Sequence, residues 1–161
     1  IAEDLGVLSQ PVKDLLRDSG FPGMAILQFA FAGDATDPFL PHNHKQHSVV
    51  YTGTHDNDTT IGWWASLTDA QRARVRDYLG SDGSEIHWDL IRAASASVAD
   101  TVVHPMQDVL GLGGEHRMNL PGRGEGYWEW RFAWHQVRPE HAQRLAYFAQ
   151  LYRRDGTPIQ T

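Results

Sequence analysis

The segment Thr52-Gly53-Thr54-His55-Asp56-Asn57-Asp58-Thr59-Thr60 gathers two carboxylates, an imidazole and an amide, directly after an apolar run. Such a cluster can support positive charge, move a proton or hydrogen-bond a polyhydroxy ligand. The same residues also suit a plain polar turn, because Asp and Asn side chains close turns and cap helices. Asp58 or Thr59 fits the N-cap of the following apolar stretch, which holds Ile61, Trp63 and Trp64. Asp56 is then free for another task. Glu3 taken alone reads as a solvated charge. Set across a shared cleft from Asp56, it becomes half of a pair. Two carboxylates flanking a glycosidic bond are the usual apparatus of sugar transfer: one protonates the leaving oxygen and the other supports charge building on the sugar.

Other polar groups compete for attention. Asp4 adjoins Glu3, and Gln107-Asp108 follows the apolar Thr101–His104 run. His42, His44, His47, His55, Asp56 and Asp58 form a local supply of metal ligands. They match neither a His-x-x-x-His helix pair nor a calcium loop, so no metal is expected. The tryptophans Trp63, Trp64, Trp88, Trp128, Trp130 and Trp134 offer flat faces with polar edges, but core packing is the default for each. The glycine-rich stretch from Gly111 to Gly126 is long enough for a functional loop, and Asn119 is the side chain in it best suited to reach a ligand.

These groups need a frame. Apolar runs at Ile1-Ala2, Met24–Phe31, Ser48–Thr52 and Thr101–His104 read as strands. Helical patterns alternate with them. Ser9 opens a helix carrying Val12, Leu15 and Leu16 that stops at Gly20. Thr68 and Gln71 form a capping box for a helix with Val75, Tyr78 and Leu79 on one face. Ile86, Leu90, Ile91, Ala94 and Val98 share helical spacing, and Pro139 starts a last helix with Leu145, Phe148, Leu151 and Tyr152 as its stripe. Strands alternating with helices imply an α/β fold with a parallel sheet. Four such units are half of a (β/α)8 barrel, which needs about 250 residues when complete. The expectation is therefore one domain over 1–161, the C-terminal half of a barrel, with the N-terminal half elsewhere or with two copies closing on each other. The opening Ile1-Ala2-Glu3, without methionine or cap, reads as a chain cut within a longer protein.

Composition excludes several classes. The chain has 161 residues, 41% of them hydrophobic and 21% charged, with a formal charge of -6. A nucleic-acid surface needs an excess of Lys and Arg that is not there. No run approaches the roughly 20 apolar residues of a membrane helix. Cysteine is absent, which removes disulfides and thiolate metal sites and suits a reducing cytoplasm.

Several stretches, in order along the chain, resemble the 4-alpha-glucanotransferases of glycoside hydrolase family 77, also called amylomaltases or disproportionating enzymes. They are Ile1-Ala2-Glu3-Asp4-Leu5-Gly6, Pro22-Gly23-Met24, Leu27-Gln28-Phe29-Ala30-Phe31, Pro38-Phe39-Leu40-Pro41-His42-Asn43, Tyr51–Thr60, Gln107-Asp108-Val109-Leu110-Gly111-Leu112-Gly113, Arg117-Met118-Asn119 and Trp128-Glu129-Trp130-Arg131. The resemblance implies a retaining transfer of alpha-1,4-glucan segments, as in starch and glycogen metabolism, with maltooligosaccharide donors and acceptors and no cofactor. It assigns Glu3 as general acid/base and Asp56 as the third carboxylate, which distorts the donor sugar. It assigns Asp4, His55 and Asn119 to glucan contact and makes the Asn119 loop a mobile cover. It places the nucleophilic aspartate on an upstream strand, so the fragment alone should not turn over. Ala32 departs from the pattern, since family members often carry an acidic residue just after the Phe-Ala-Phe segment. Two rival readings are a non-catalytic glucan-binding half-barrel and a metal-dependent hydrolase.

Overall fold

The structure is a computed structural model and describes residues 1–156. Residues 157–161 of the expected 1–161 unit lie outside the described residues. Three parallel strands form the sheet: β1 (Gly23–Ile26), β2 (Ser48–Tyr51) and β3 (Thr101–Val103), in that order. The register pairs Met24 with Val49 and Val50 with Val102. Among the described residues β1 and β3 each have one neighbour, and the sheet does not close.

Two strand expectations are corrected. Ile1-Ala2 is not a strand; its backbone contributes a single hydrogen bond of this kind, from Ala2 N–H to Pro22 C=O at 3.0 Å, too little for a ladder. The Met24–Phe31 run stops being a strand at Ile26 and tightens into a 3-10 turn over Leu27–Phe29. An apolar run alone does not distinguish a buried strand from a buried turn. Here the turn is fixed by Gln28, whose N–H bonds Thr52 C=O while its side-chain amide donates to Asp58 C=O at 2.8 Å.

The crossovers are uneven. No α-helix joins β1 to β2. The linking chain makes Asx turns at Asp34 and Asp37 and a 3-10 turn at Pro41–Asn43. β2 leads instead to α2 (Thr60–Ser66), α3 (Asp69–Leu79) and α4 (Ile86–Ala96) before β3. The Thr68/Gln71 capping box forms at the start of α3 as expected, and Gly80 ends the helix at φ +63°, where an L side chain would be strained. Short α5 (Met106–Val109) follows β3, and α6 (Pro139–Leu151) closes the described chain.

Leu27, Phe31, Val50, Val75, Leu90 and Ala94 build the main core between sheet and helices. The other face of α4 joins α6 through Trp88, Ile91, Val109 and Phe148. Arg154 anchors the end of this layer by donating to the C=O groups of Ser95, Ser97 and Ala99. Val98 is exposed beyond the end of α4, and Leu151 is exposed on α6, so neither joins its expected stripe. α1 (Gln10–Ser19) forms and ends at Gly20, but the Ser9 side chain makes no cap bond. Its Val12 and Leu15 are 47% and 69% exposed, an amphipathic face with nothing over it among the described residues.

Candidate active site

β2 delivers the chemistry-bearing turn. Gly53 is required where the chain leaves the strand, because a Cβ there would lie 2.6 Å from Gln28 Nε2. The turn is closed by Asn57, whose Oδ1 accepts from Thr54 N–H and Thr54 Oγ1, each at 2.9 Å. Thr59 is the N-cap of α2, accepting from Gly62 N–H at 3.1 Å, and Asp58 accepts from Thr59 N–H at 2.8 Å. The turn reading and the chemical reading therefore divide the segment. Asn57, Asp58 and Thr59 build the turn; His55 and Asp56 are left exposed on it.

Beneath the turn sits Asp108, 2% exposed at the start of α5. Its carboxylate accepts from Thr52 Oγ1 at 2.5 Å, from Thr60 N–H at 2.7 Å and from Thr60 Oγ1 at 2.8 Å. Burial pushes this carboxyl up, and the three donors partly oppose the shift. Asp108 thus joins the end of β2 to the first turn of α2 and clamps both ends of the His55–Asp56 turn. The sequence marks Asp108 as a polar residue after a strand, but its role in the fold is to hold others.

The Gly111–Gly126 loop arrives from the other side. Asn119 N–H bonds His55 C=O at 3.1 Å, and Asn119 Nδ2 donates to Asp56 Oδ1 at 2.6 Å. Arg117 donates to Asp56 C=O at 2.9 Å and to Asn119 C=O at 2.7 Å. His55 Nε2 lies 3.5 Å from Asp56 Oδ1, and the Trp128 ring packs on His55 with centroids 4.9 Å apart. Asp56 is therefore an exposed carboxylate oriented by the Asn119 amide with an imidazole beside it, the arrangement that a sugar hydroxyl can enter by exchange. Arg117 has no cue for this role in its local sequence, since Asp56 lies 61 residues away.

Next to the turn is a cleft of about 390 Å³, lined by Glu3, Tyr51, His55, Asn57, Asp58, Arg117 and Met118 among others. Glu3 and His55 share it. Asn119 lies beside it through its bond to His55 C=O, and Asp56 is the next residue in the turn. Glu3 is exposed. Asp4 is turned elsewhere: its Oδ1 accepts from Met24 N–H at 2.7 Å, and it lines a second cleft along β1. Its carboxylate covers Gly23, where a Cβ would meet it at 2.3 Å. Ala32 is exposed and lines neither cleft. Among the described residues no three His, Asp or Glu side chains converge as a metal site, and no helix is long and apolar enough to cross a membrane.

The chain matches the family described as 4-alpha-glucanotransferase, glycoside hydrolase family 77, over residues 1–137. It belongs to that family. A 4-alpha-glucanotransferase from Synechocystis is 47% identical over 156 residues, which is 96% of this chain and 31% of that protein. The Thermus thermophilus 4-alpha-glucanotransferase is 46% identical over 162 residues, 96% of this chain and 32% of that protein. A chloroplastic/amyloplastic 4-alpha-glucanotransferase of Arabidopsis thaliana is 52% identical over 132 residues, covering 81% of this chain and 23% of its own. The chain thus spans a third or less of the relatives it matches. The amylomaltase of Streptococcus agalactiae, solved in complex with acarbose, superposes with a TM-score of 0.88 at 33% identity, over 94% of this chain and 31% of that one. The alternating parallel fold described above therefore resembles part of the (β/α)8-like fold of an amylomaltase.

Proposed function

We propose that this chain is part of a 4-alpha-glucanotransferase that moves a segment of an alpha-1,4-glucan to the 4-position of an acceptor glucan or glucose by retaining double displacement. Residues 1–161 are then one partial barrel, and the N-terminal half of that barrel is their partner. The observation that carries the reading is the presentation of Asp56. The fold spends Asn57, Asp58, Thr59 and Asp108 on building one turn, and that turn displays Asp56 and His55 beside a cleft lined by Glu3.

In this reading a carboxylate from the upstream half attacks C1 of a glucosyl unit. The C1–O4 bond breaks as Glu3 gives its proton to the departing oxygen. Asp56, held by Asn119 and His55, strengthens its hydrogen bonds to the sugar hydroxyls as oxocarbenium character grows. A second glucan enters; Glu3 takes the proton of its 4-hydroxyl, and that oxygen displaces the enzyme carboxylate from C1. The segment Arg117–Asn119 lies over the turn and suits a cover that keeps water from the intermediate. Asp4 acts one step back, by fixing the start of β1 behind Glu3. Maltooligosaccharides are the donors and acceptors, no nucleic acid or membrane is engaged, and the cysteine-free sequence fits a cytoplasmic setting.

The test is made in the full-length protein. Glu3→Gln is expected to lower maltotriose disproportionation by about 10²–10⁴-fold, the usual worth of general acid/base catalysis. Asp56→Asn is expected to abolish turnover while the thermal midpoint stays near that of the parent. Near-parental rates for Glu3→Gln, or unfolding of Asp56→Asn, would overturn the respective assignment.

A further inference from the structure

Trp128 combines three properties that packing alone does not explain. Its backbone is in the left-handed region, φ +69°, where bulky residues are rarely found. The residue is 61% exposed, so the fold recovers little from burying it. Among the described residues its one aromatic ring contact is His55, with centroids 4.9 Å apart, the neighbour of Asp56. The strained backbone is held by a hydrogen bond from Trp128 N–H to Met118 C=O at 2.8 Å, which draws the far end of the loop back to Asn119. That bond says how the strain is kept but not what it serves. Strain of this kind, where it is over-determined by its surroundings, gathers at ligand-binding positions.

We propose that Trp128 is a binding residue: its indole is a stacking platform for a glucosyl unit of the glucan at the edge of the Asp56 site. A pyranose ring presents a patch of C–H groups on each face and hydroxyls around its rim. A flat indole takes the apolar face, while the imidazole and carboxylate beside it take the hydroxyls. His55 joins the two halves of this surface, with its ring against Trp128 and its Nε2 3.5 Å from Asp56. The left-handed backbone is what turns so large a side chain outward over His55 instead of into the core.

This inference rests on the glucan-transfer reading above. It is tested in the full-length protein by calorimetric titration with maltotriose, disproportionation kinetics and thermal denaturation. Trp128→Ala is expected to weaken maltotriose binding and raise KM about tenfold, with kcat within about threefold of the parent. Trp128→Phe keeps a flat face and is expected to stay within about threefold in both. Trp128→Gly relieves the left-handed strain; its thermal midpoint is expected within about 3 °C of the parent while KM rises as for alanine. Unchanged binding in Trp128→Ala overturns the platform, and so does a clear loss of stability in Trp128→Gly, which would make the ring a packing element. A parent protein that neither binds nor turns over maltotriose brings down the glucan reading and the platform with it. A parent that does both, with Trp128→Ala unaltered, brings down the platform alone.

Discussion

His104, just past β3, is a neutral imidazole by construction. Its Nδ1 is buried without a partner, and its Nε2 lies 3.4 Å from Ser95 Oγ. Burial, with a smaller contribution from the nearby Arg154 cation, lowers its pKa to about 4. In the unfolded chain the same group titrates near the ordinary 6.5. Between these values the unfolded state binds the extra proton, so stability is full above about pH 6.5 and declines as pH falls toward 4. A shift of this size corresponds to about 3 kcal/mol at most. Buried His44 and half-buried His87, also lowered, add to the slope in the same sense, while buried Asp108, raised, opposes it. The expected outcome is a lower urea midpoint at pH 5 than at pH 7, with the difference reduced in His104→Gln. Equal slopes in parent and variant would show that His104 does not contribute.

At the scale of elements, the loop from Gly111 to Gly126 and the turn after β2 form one unit. Arg117 bonds Asp56 C=O, and Asn119 bonds both the backbone and the carboxylate of the turn. Arg117→Ala removes the bonds to Asp56 C=O and Asn119 C=O and leaves the two made by Asn119. It is expected to lower transfer severalfold and to raise the share of donor lost to hydrolysis, read from free glucose against transfer products. An unchanged ratio would count against a covering role. The same unit shows what a sequence can tell. Short-range chemistry was legible: the Thr68 box, the Gly20 stop, and an N-cap at Asp58 or Thr59, of which Thr59 takes the role, with Asp56 left over. Long-range closure was not. Nothing near Arg117 points to Asp56, and Asp108 looked like a candidate reactive group until its three donors placed it underneath the turn. Apolar runs misled where burial was shared by strand and turn, as in Met24–Phe31, and where a run such as Ile1-Ala2 lacked a ladder to join.

The whole molecule is an open layer. Among the described residues β1 and β3 have no strand on their outer edges, where Asp4 meets only Met24 N–H of β1, and α1 shows Val12 and Leu15 to solvent. Such edges recruit other strands. The 1–161 polypeptide by itself is expected to self-associate in size-exclusion chromatography at micromolar concentration and to show no disproportionation, since the carboxylate that attacks C1 comes from the upstream half in our reading. Turnover by the isolated polypeptide would refute that assignment. Glucan binding without turnover is compatible with it, and is the whole content of the non-catalytic alternative. The full-length protein separates these two, because only a catalytic member recovers activity when the upstream half is present.

The Asp108 clasp carries one more consequence, and it concerns time. Its bonds join residues 56 and 48 positions apart. Contacts of that separation require the intervening helices and β3 to have returned to the sheet before they can close, because the entropy of closing the loop must be met first. Interactions formed after the folding barrier slow unfolding without speeding folding. A clasp that closes this late would act on the lifetime of the displayed turn more than on its assembly, and Asp108→Asn is then expected to speed unfolding in stopped-flow with the folding rate little changed.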